Sequence, residues 1–263
     1  MKLEGKSAII TGGGRGLGRA MALAMAREGA SVTIISRTGE ELEAVAQSIK
    51  ERGGDCLALQ GDVSRPDDVA RVVEGAEKRY STIDILVNNA AVVGPVRFPE
   101  DADVEAWKQT MDINLNGAFL CARNVVPIMA RQGGGKIINI SSGLGQMPFP
   151  RFCAYSVSKA GIIQLTRSLS EELKDRNIQV NAIDPGVMDT SMQERIRALG
   201  LSVLGESLLH HFMEYKEKGE LKAPAMVASV AVFLASERAD RVTGCIGSLK
   251  DYAGLGWNPP ENL

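Results

Sequence analysis

A tyrosine and a lysine four residues apart, Tyr155 and Lys159, form the most reactive pairing in this chain. On a helix that spacing puts both side chains on one face, one turn apart. A phenol is a poor acid at neutral pH, with an ordinary pKa of about 10. A neighbouring ammonium favours phenolate and is expected to pull that value toward the working range. A donor tuned in this way suits carbonyl reduction or its reverse, alcohol oxidation. Alone the spacing means little, because such helical pairs are common. A second segment gives it company: Thr11-Gly-Gly-Gly-Arg-Gly-Leu-Gly18 has the composition of a turn that closes on a phosphate.

That turn needs a strand before it and a helix after it. The expected strands are Ser7–Thr11, Ser31–Ser36, Cys56–Gln60, Ile83–Val87, Lys136–Ile140 and Gln179–Ile183, with a last one near Cys245–Leu249. Each is short and apolar on both faces, as buried parallel strands are. Helical patterns lie between them, including Arg19–Glu28, Glu40–Arg52 and Asp67–Tyr80. The alternation predicts one α/β domain over residues 1–263, a doubly wound Rossmann fold on a seven-stranded parallel sheet. The segment 187–222 breaks the rhythm. It is rich in Met, Leu and Phe and follows a strand's carboxyl end, where a lid over a substrate belongs.

Composition bounds the alternatives. The 263 residues, 44% hydrophobic, suffice for a full core. A net charge of −2 gives no general attraction to nucleic acid or anionic membrane. No apolar run approaches the roughly 20 residues that span a bilayer. Cys56, Cys121, Cys153 and Cys245 are scattered, which suggests neither zinc nor a disulfide framework. A cytoplasmic protein without a metal is expected.

In the glycine turn, Gly12, Gly14, Gly16 and Gly18 let the backbone approach a pyrophosphate, and the helix beginning near Gly16-Leu17 offers free N–H groups. The end of the second strand discriminates between dinucleotides. A carboxylate there would accept the ribose 2′-hydroxyl of NAD; this chain has Ser36-Arg37. With no carboxylate to repel a 2′-phosphate, and with Arg37 and Arg15 able to pair with one, NADP(H) is expected over NAD(H). Asp62-Val63 follows the third strand, and Asp62 is read either as an acceptor for the adenine amino group or as a turn residue before Pro66.

These residues, with Asn88-Asn89-Ala90-Ala91, Asn114, Ser142 and Pro185-Gly186, resemble the short-chain dehydrogenase/reductase family from Lys6 to about Gly244. The resemblance implies that Tyr155 is the acid/base and that Lys159 binds the nicotinamide ribose and lowers the tyrosine pKa. It implies that Ser142, thirteen residues before Tyr155, hydrogen-bonds the substrate carbonyl, and that Asn114 holds a water relay to Lys159 or a buried structural position. Asn88, Asn89, Ala90, Pro185, Gly186, Val187 and Thr190 would line the cofactor. The segment 143–152 would wall the substrate pocket with Leu144, Met147, Phe149 and Phe152, with Met192 contributed by the lid. That implies a largely apolar carbonyl or secondary alcohol.

The branch of 3-oxoacyl-acyl-carrier-protein reductases is similar in length and NADP preference. It adds an acyl carrier protein or a CoA thioester as possible partners. At the basic positions that dock the carrier this chain has Pro127 and Glu171, with Arg123, Arg131 and Arg167 nearby. Two departures stand out: Ala91 where glycine is usual, and a C-terminal Lys250-Asp-Tyr-Ala-Gly254 in place of an Asp-Gly-Gly turn. The family's assembly implies a homotetramer, or else a dimer, through helices at Trp107–Arg131 and Phe152–Lys174. His210-His211 point to different helical faces and are expected to pack in the lid rather than chelate. A non-catalytic NADP-binding sensor on the same fold is the alternative from another class.

Overall fold

Short apolar runs bounded by polar or glycine residues become the strands of one parallel sheet. In the computed structural model, which describes residues 1–260, these are β1 (Ser7–Thr11), β2 (Ser31–Ser36), β3 (Cys56–Gln60), β4 (Ile85–Asn88), β5 (Gly135–Ile140), β6 (Ile178–Ile183) and β7 (Ile246–Gly247). Their order is β3-β2-β1-β4-β5-β6-β7, and every pairing is parallel. This is the Rossmann arrangement, and the strand order reverses between β1 and β4. Ligands settle at that reversal, outside the carboxyl ends of the strands.

Side chains alternate across the sheet and feed two core layers. Ile10, Ile34, Val87 and Ile138 face one layer, which is closed by α1 (Gly16–Arg27), α2 (Gly39–Lys50) and α9 (Pro224–Ala235). Ile9, Ile35, Leu86 and Ile137 face the other, closed by α3 (Pro66–Tyr80) and α5 (Gly117–Arg131). Helix α9 is apolar almost all round and correspondingly buried from Val230 to Ala235.

Helix α4 (Val104–Met111) runs into α5 through one π turn, Asp112–Asn116. Asp103 caps α4, accepting from the Glu105 amide at 3.2 Å. The expected helix from Phe152 is α6 (Cys153–Glu172).

The excursion after β6 holds α7 (Ser191–Ala198) and α8 (Gly200–Glu217), and a bridge between Met188 and Lys222 closes it. Gly205, at φ 73° and ψ 167°, breaks α8 after its first turn. The break removes the helical partner of the Val203 carbonyl, and the Arg151 guanidinium donates to that carbonyl instead. Arg151 itself has a left-handed φ of 70°, its guanidinium lies 4.5 Å over the Phe98 ring, and its carbonyl accepts from the Arg97 amide.

Beyond β7, Ser248 and Asp251 form a capping box that starts α10 (Leu249–Gly254). Tyr252 of α10 is fully buried and donates to the Ala182 carbonyl of β6 at 2.7 Å. Trp257 donates to Ser229 of α9 at 3.1 Å. The departure at the C-terminus thus serves to anchor this chain's own sheet. No described helix is long and apolar enough to cross a membrane.

Candidate active site

Strands β1 and β4 end side by side, and Thr11 ties their loops together. Its hydroxyl accepts from the amides of Asn89 at 2.9 Å and Ala90 at 3.0 Å. The Asn89 side chain donates back to the Thr11 carbonyl at 2.9 Å. Ala91 has no left-handed φ, so its methyl group is accommodated without strain. Asn88 turns inward to Asn139 at 2.9 Å and is a buried structural amide.

The glycine turn is built around close approach. A Cβ on Gly18 would lie 2.1 Å from the Gly12 carbonyl oxygen, and one on Gly12 would lie 2.9 Å from the Asn89 amide nitrogen. Gly12 and Gly16 also have left-handed φ values of 65° and 53°. Helix α1 begins with no side-chain cap and no acidic residue in its first turn. Its free N–H groups and positive dipole end therefore face the turn, the arrangement that holds a pyrophosphate. A dinucleotide fits this cradle.

One cavity of about 670 Å³ joins the predicted cofactor residues: Gly12, Gly14, Arg15, Gly16, Leu17, Gly18, Ser36, Arg37, Asp62, Val63, Asn89, Ala90, Tyr155, Lys159, Pro185 and Thr190 all line it. Gly186 and Val187 lie beside it, not on its wall; Gly186 donates to Asp184 at 3.0 Å. At its other end the cavity has an apolar wall of Val93, Pro95, Val96, Met192, Ile196, Leu199 and Val203, with the charged Arg97, Asp101, Asp103 and Arg195 also on its lining. Of the expected substrate residues, Met192 and Tyr155 line this cavity. Met147 is 76% exposed, and Phe152 is buried with Phe212 and Leu204 in a satellite core. Leu144 and Phe149 pack against that core, and His211 packs edge-on to Phe149 at 5.1 Å. The segment 143–152 therefore supports the cavity wall from behind. The loop that forms it, 93–96, gave no signal in the sequence beyond ordinary loop composition.

The adenosine end corrects one expectation. The end of β2 carries no acid, but carboxylates arrive from elsewhere. Glu41 of α2 sits 3.2 Å from the Arg15 guanidinium, and Asp62 stands 4.0 Å from Arg37. Asp62 also accepts from the Ser64 amide and hydroxyl at 2.9 and 2.7 Å, a turn of its own. Both arginines thus face partners from elements that the β2 segment does not reveal.

Helix α6 brings Tyr155 and Lys159 together. The Lys159 ammonium is buried, donates to the Ile140 carbonyl at 2.6 Å and lies 5.6 Å from the tyrosine ring centroid. Ser142 precedes a short 3₁₀ turn, and its hydroxyl accepts from the Leu144 amide at 3.2 Å. Ser141 is buried with its hydroxyl unpartnered. Asn114, carried inward by the π turn, is fully engaged. It accepts from the Val92 amide and donates to the Val92 carbonyl, both at 2.8 Å, and donates to Ser158 at 3.0 Å. Such π turns often mark functional positions. Asn114 and Lys159 border the same narrow crevice.

The expected downward pull of Lys159 on the phenol is not what the geometry produces. Burial pushes Tyr155 up to about 12; the nearby Ser142 hydroxyl pulls it down and the Asp184 charge adds to the rise. The ammonium's 2.6 Å bond is with the Ile140 carbonyl instead. Lys159 moves the opposite way, to about 8, because burial penalises its charge.

This has a measurable consequence. Unfolded, a lysine keeps its proton to about pH 10.4. Between about 8 and 10.4 the unfolded chain therefore binds more protons, so stability rises with pH across that window. Lys159 contributes at most roughly 3 kcal/mol to that rise. Tyr155 acts in reverse above about pH 10, where the folded state retains the extra proton and stability falls. Denaturant unfolding of wild type and Lys159→Met at pH 8, 9 and 10 should show the wild type gaining on the variant. A constant difference would rule out burial of the ammonium as the cause.

Comparison with known proteins agrees with this geometry. The short chain dehydrogenase family model matches residues 6–199. A 3-oxoacyl-(acyl-carrier-protein) reductase of Staphylococcus epidermidis is 34% identical over 240 residues, covering 91% of this chain and 95% of that protein. Among solved structures, levodione reductase superposes with a TM-score of 0.86 at 29% identity, covering 94% of this chain and 96% of that one. NAD⁺-bound xylitol dehydrogenase superposes with a TM-score of 0.88 at 28% identity, covering 94% and 98%. With its parallel seven-stranded sheet, its uncapped glycine turn and Tyr155 beside Lys159 in one cavity, this chain belongs to the short-chain dehydrogenases, oxidoreductases that use a nicotinamide cofactor.

Proposed function

We propose that this protein is an NADP(H)-dependent oxidoreductase that interconverts a largely apolar ketone and its secondary alcohol. The observation that carries the reading is the single cavity running from the glycine turn, past Tyr155 and Lys159, to an end walled by Val93, Val96, Met192, Ile196 and Leu199, with charged residues of the same segments also on its lining. Bound nicotinamide supplies or accepts the hydride. Gly12, Gly16, Gly18 and the α1 N-terminus hold the pyrophosphate, and Arg15 and Arg37 favour a 2′-phosphate. Asn89, Ala90, Pro185, Gly186, Val187 and Thr190 border the path to the nicotinamide.

The phenol, held up at about 12, keeps its proton at neutral pH and is poised to give it to a developing alkoxide. Ser142 orients the carbonyl oxygen and stabilises its growing charge. Lys159, at about 8, exchanges protons readily at neutral pH and can resupply the phenol, with Asn114 holding the relay's backbone in place. Helices α7 and α8 close over the apolar end as a lid.

A second reading is favoured by the Staphylococcus epidermidis relative: the carbonyl is a 3-oxoacyl group on a carrier protein or CoA. Arg123 and Arg167 are exposed for docking, whereas Arg131 is held by Glu77 at 2.7 Å.

The test is NADPH oxidation against acetoacetyl thioesters, apolar ketones, diketones and ketosteroids, with NADH run in parallel. Turnover of ketones above thioesters supports the first reading. Thioester turnover, enhanced by the carrier protein, supports the second. A clear NADH preference would overturn the role given to Arg15 and Arg37.

A further inference from the structure

The adenosine end of the cavity contains a carboxylate that has no place in a simple 2′-phosphate site. Glu41 is the third residue of α2, and its Oε1 lies 3.2 Å from the Arg15 guanidinium. It also lies against the glycine turn: a Cβ built on Gly14 would come within 2.9 Å of the Glu41 Cβ, 3.3 Å of its Oε2 and 3.2 Å of the Ser36 hydroxyl. Glu41, Arg15 and Ser36 therefore converge on one point at the end of β2. Across the cavity Arg37 faces Asp62. The two cations assigned to the phosphate are matched by two anions.

We propose that Glu41 is a specificity residue, which limits the preference for the 2′-phosphorylated dinucleotide and favours the unphosphorylated one. This rests on the nicotinamide-dinucleotide reading of the cavity. A 2′-phosphate carries a charge of roughly −1.5 to −2. To take the Nη1 donor of Arg15 it must displace Glu41, and on the remaining donors of the guanidinium it still lies beside a like charge. A 2′-hydroxyl meets no such conflict, because it can donate to the carboxylate while Arg15 stays paired. Arg15 and Glu41 thus act as one two-sided selector, each half favouring a different ribose. The pair is about half exposed at Arg15 and one-third exposed at Glu41, so salt weakens its influence.

The experiment is fluorescence titration of NADPH and NADH binding to wild type, Glu41→Gln, Arg15→Gln and the double variant, at low and high salt. Glu41→Gln keeps the shape and hydrogen-bonding capacity of the side chain. It should tighten NADPH roughly five- to tenfold at low salt and leave NADH unchanged or weaker. The gain should shrink at high salt, and it should be smaller in the Arg15→Gln background. An unchanged NADPH-to-NADH ratio in Glu41→Gln, with both dinucleotides still bound, would overturn the proposal while leaving the dinucleotide reading intact. Failure of wild type to bind either dinucleotide would overturn both.

Discussion

Tyr155→Phe is expected to lower kcat by roughly three orders of magnitude, within the range that a lost general acid produces. The dissociation constant for NADPH should stay within about twofold. The phenyl ring keeps its place on α6, half-buried above Lys159, so the fold has little to lose. What disappears is the phenolic hydroxyl that the site holds protonated near Ser142. Because burial holds the phenol at about 12, the wild type does not lose this donor at physiological pH. Stopped-flow measurement of hydride transfer, with binding followed separately, checks the split between kcat and affinity. A variant retaining a tenth or more of wild-type turnover would show that another group supplies the proton.

Gly18→Ala carries the largest expected cost to stability. The new methyl group would stand 2.1 Å from the Gly12 carbonyl oxygen and 2.8 Å from its carbon. Neither can yield as a flexible side chain would. The Gly12 amide is bonded to the Ile35 carbonyl at 2.8 Å, and the Gly12 carbonyl accepts from Asn89 at 3.3 Å. Overpacking of this kind costs roughly 3 kcal/mol, a drop in Tm on the order of 10 °C for a chain of this size. Dinucleotide affinity should fall about a hundredfold or more, because the displaced backbone is the phosphate cradle itself. Gly254→Ala is the control: a methyl group there meets nothing within 4 Å. Calorimetry of the two variants should separate them widely, and equal melting temperatures would mean that the turn is far more compliant than its packing implies.

The strands were legible because each is a short apolar run with abrupt polar or glycine borders, and β1, β2 and β3 coincide with their expected bounds. The last strand is shorter than expected because α10 begins at Leu249. Helix starts fell earlier than the apolar stripes suggest, since α1 opens at Gly16 and α2 at Gly39, glycines that present nothing to a stripe. Helix α9 went unrecognised for the opposite reason: burial on nearly every side leaves no polar face to mark a period. The π turn at Asp112–Asn116 has no compositional signature, because one extra residue in a helix changes register and not composition. At the site, residues adjacent in sequence were readable, and those delivered by a different element were not. Glu41 reaches Arg15 only because α2 folds back over the glycine turn. Phe152 and Met147, both apolar and five residues apart, end in a core and in solvent; composition alone cannot assign them a side.

The Arg151 guanidinium gathers three segments beside the cavity. That one side chain ties both the loop bearing Phe98 and the broken first turn of α8 to the segment 143–152. Moving the α8 turn would cost the Val203 contact and moving the Phe98 loop the ring contact, whereas displacing the segment 143–152 would cost both. Arg151→Ala should therefore loosen both neighbours together, read as faster amide hydrogen exchange in the Phe98 loop and in the first turn of α8.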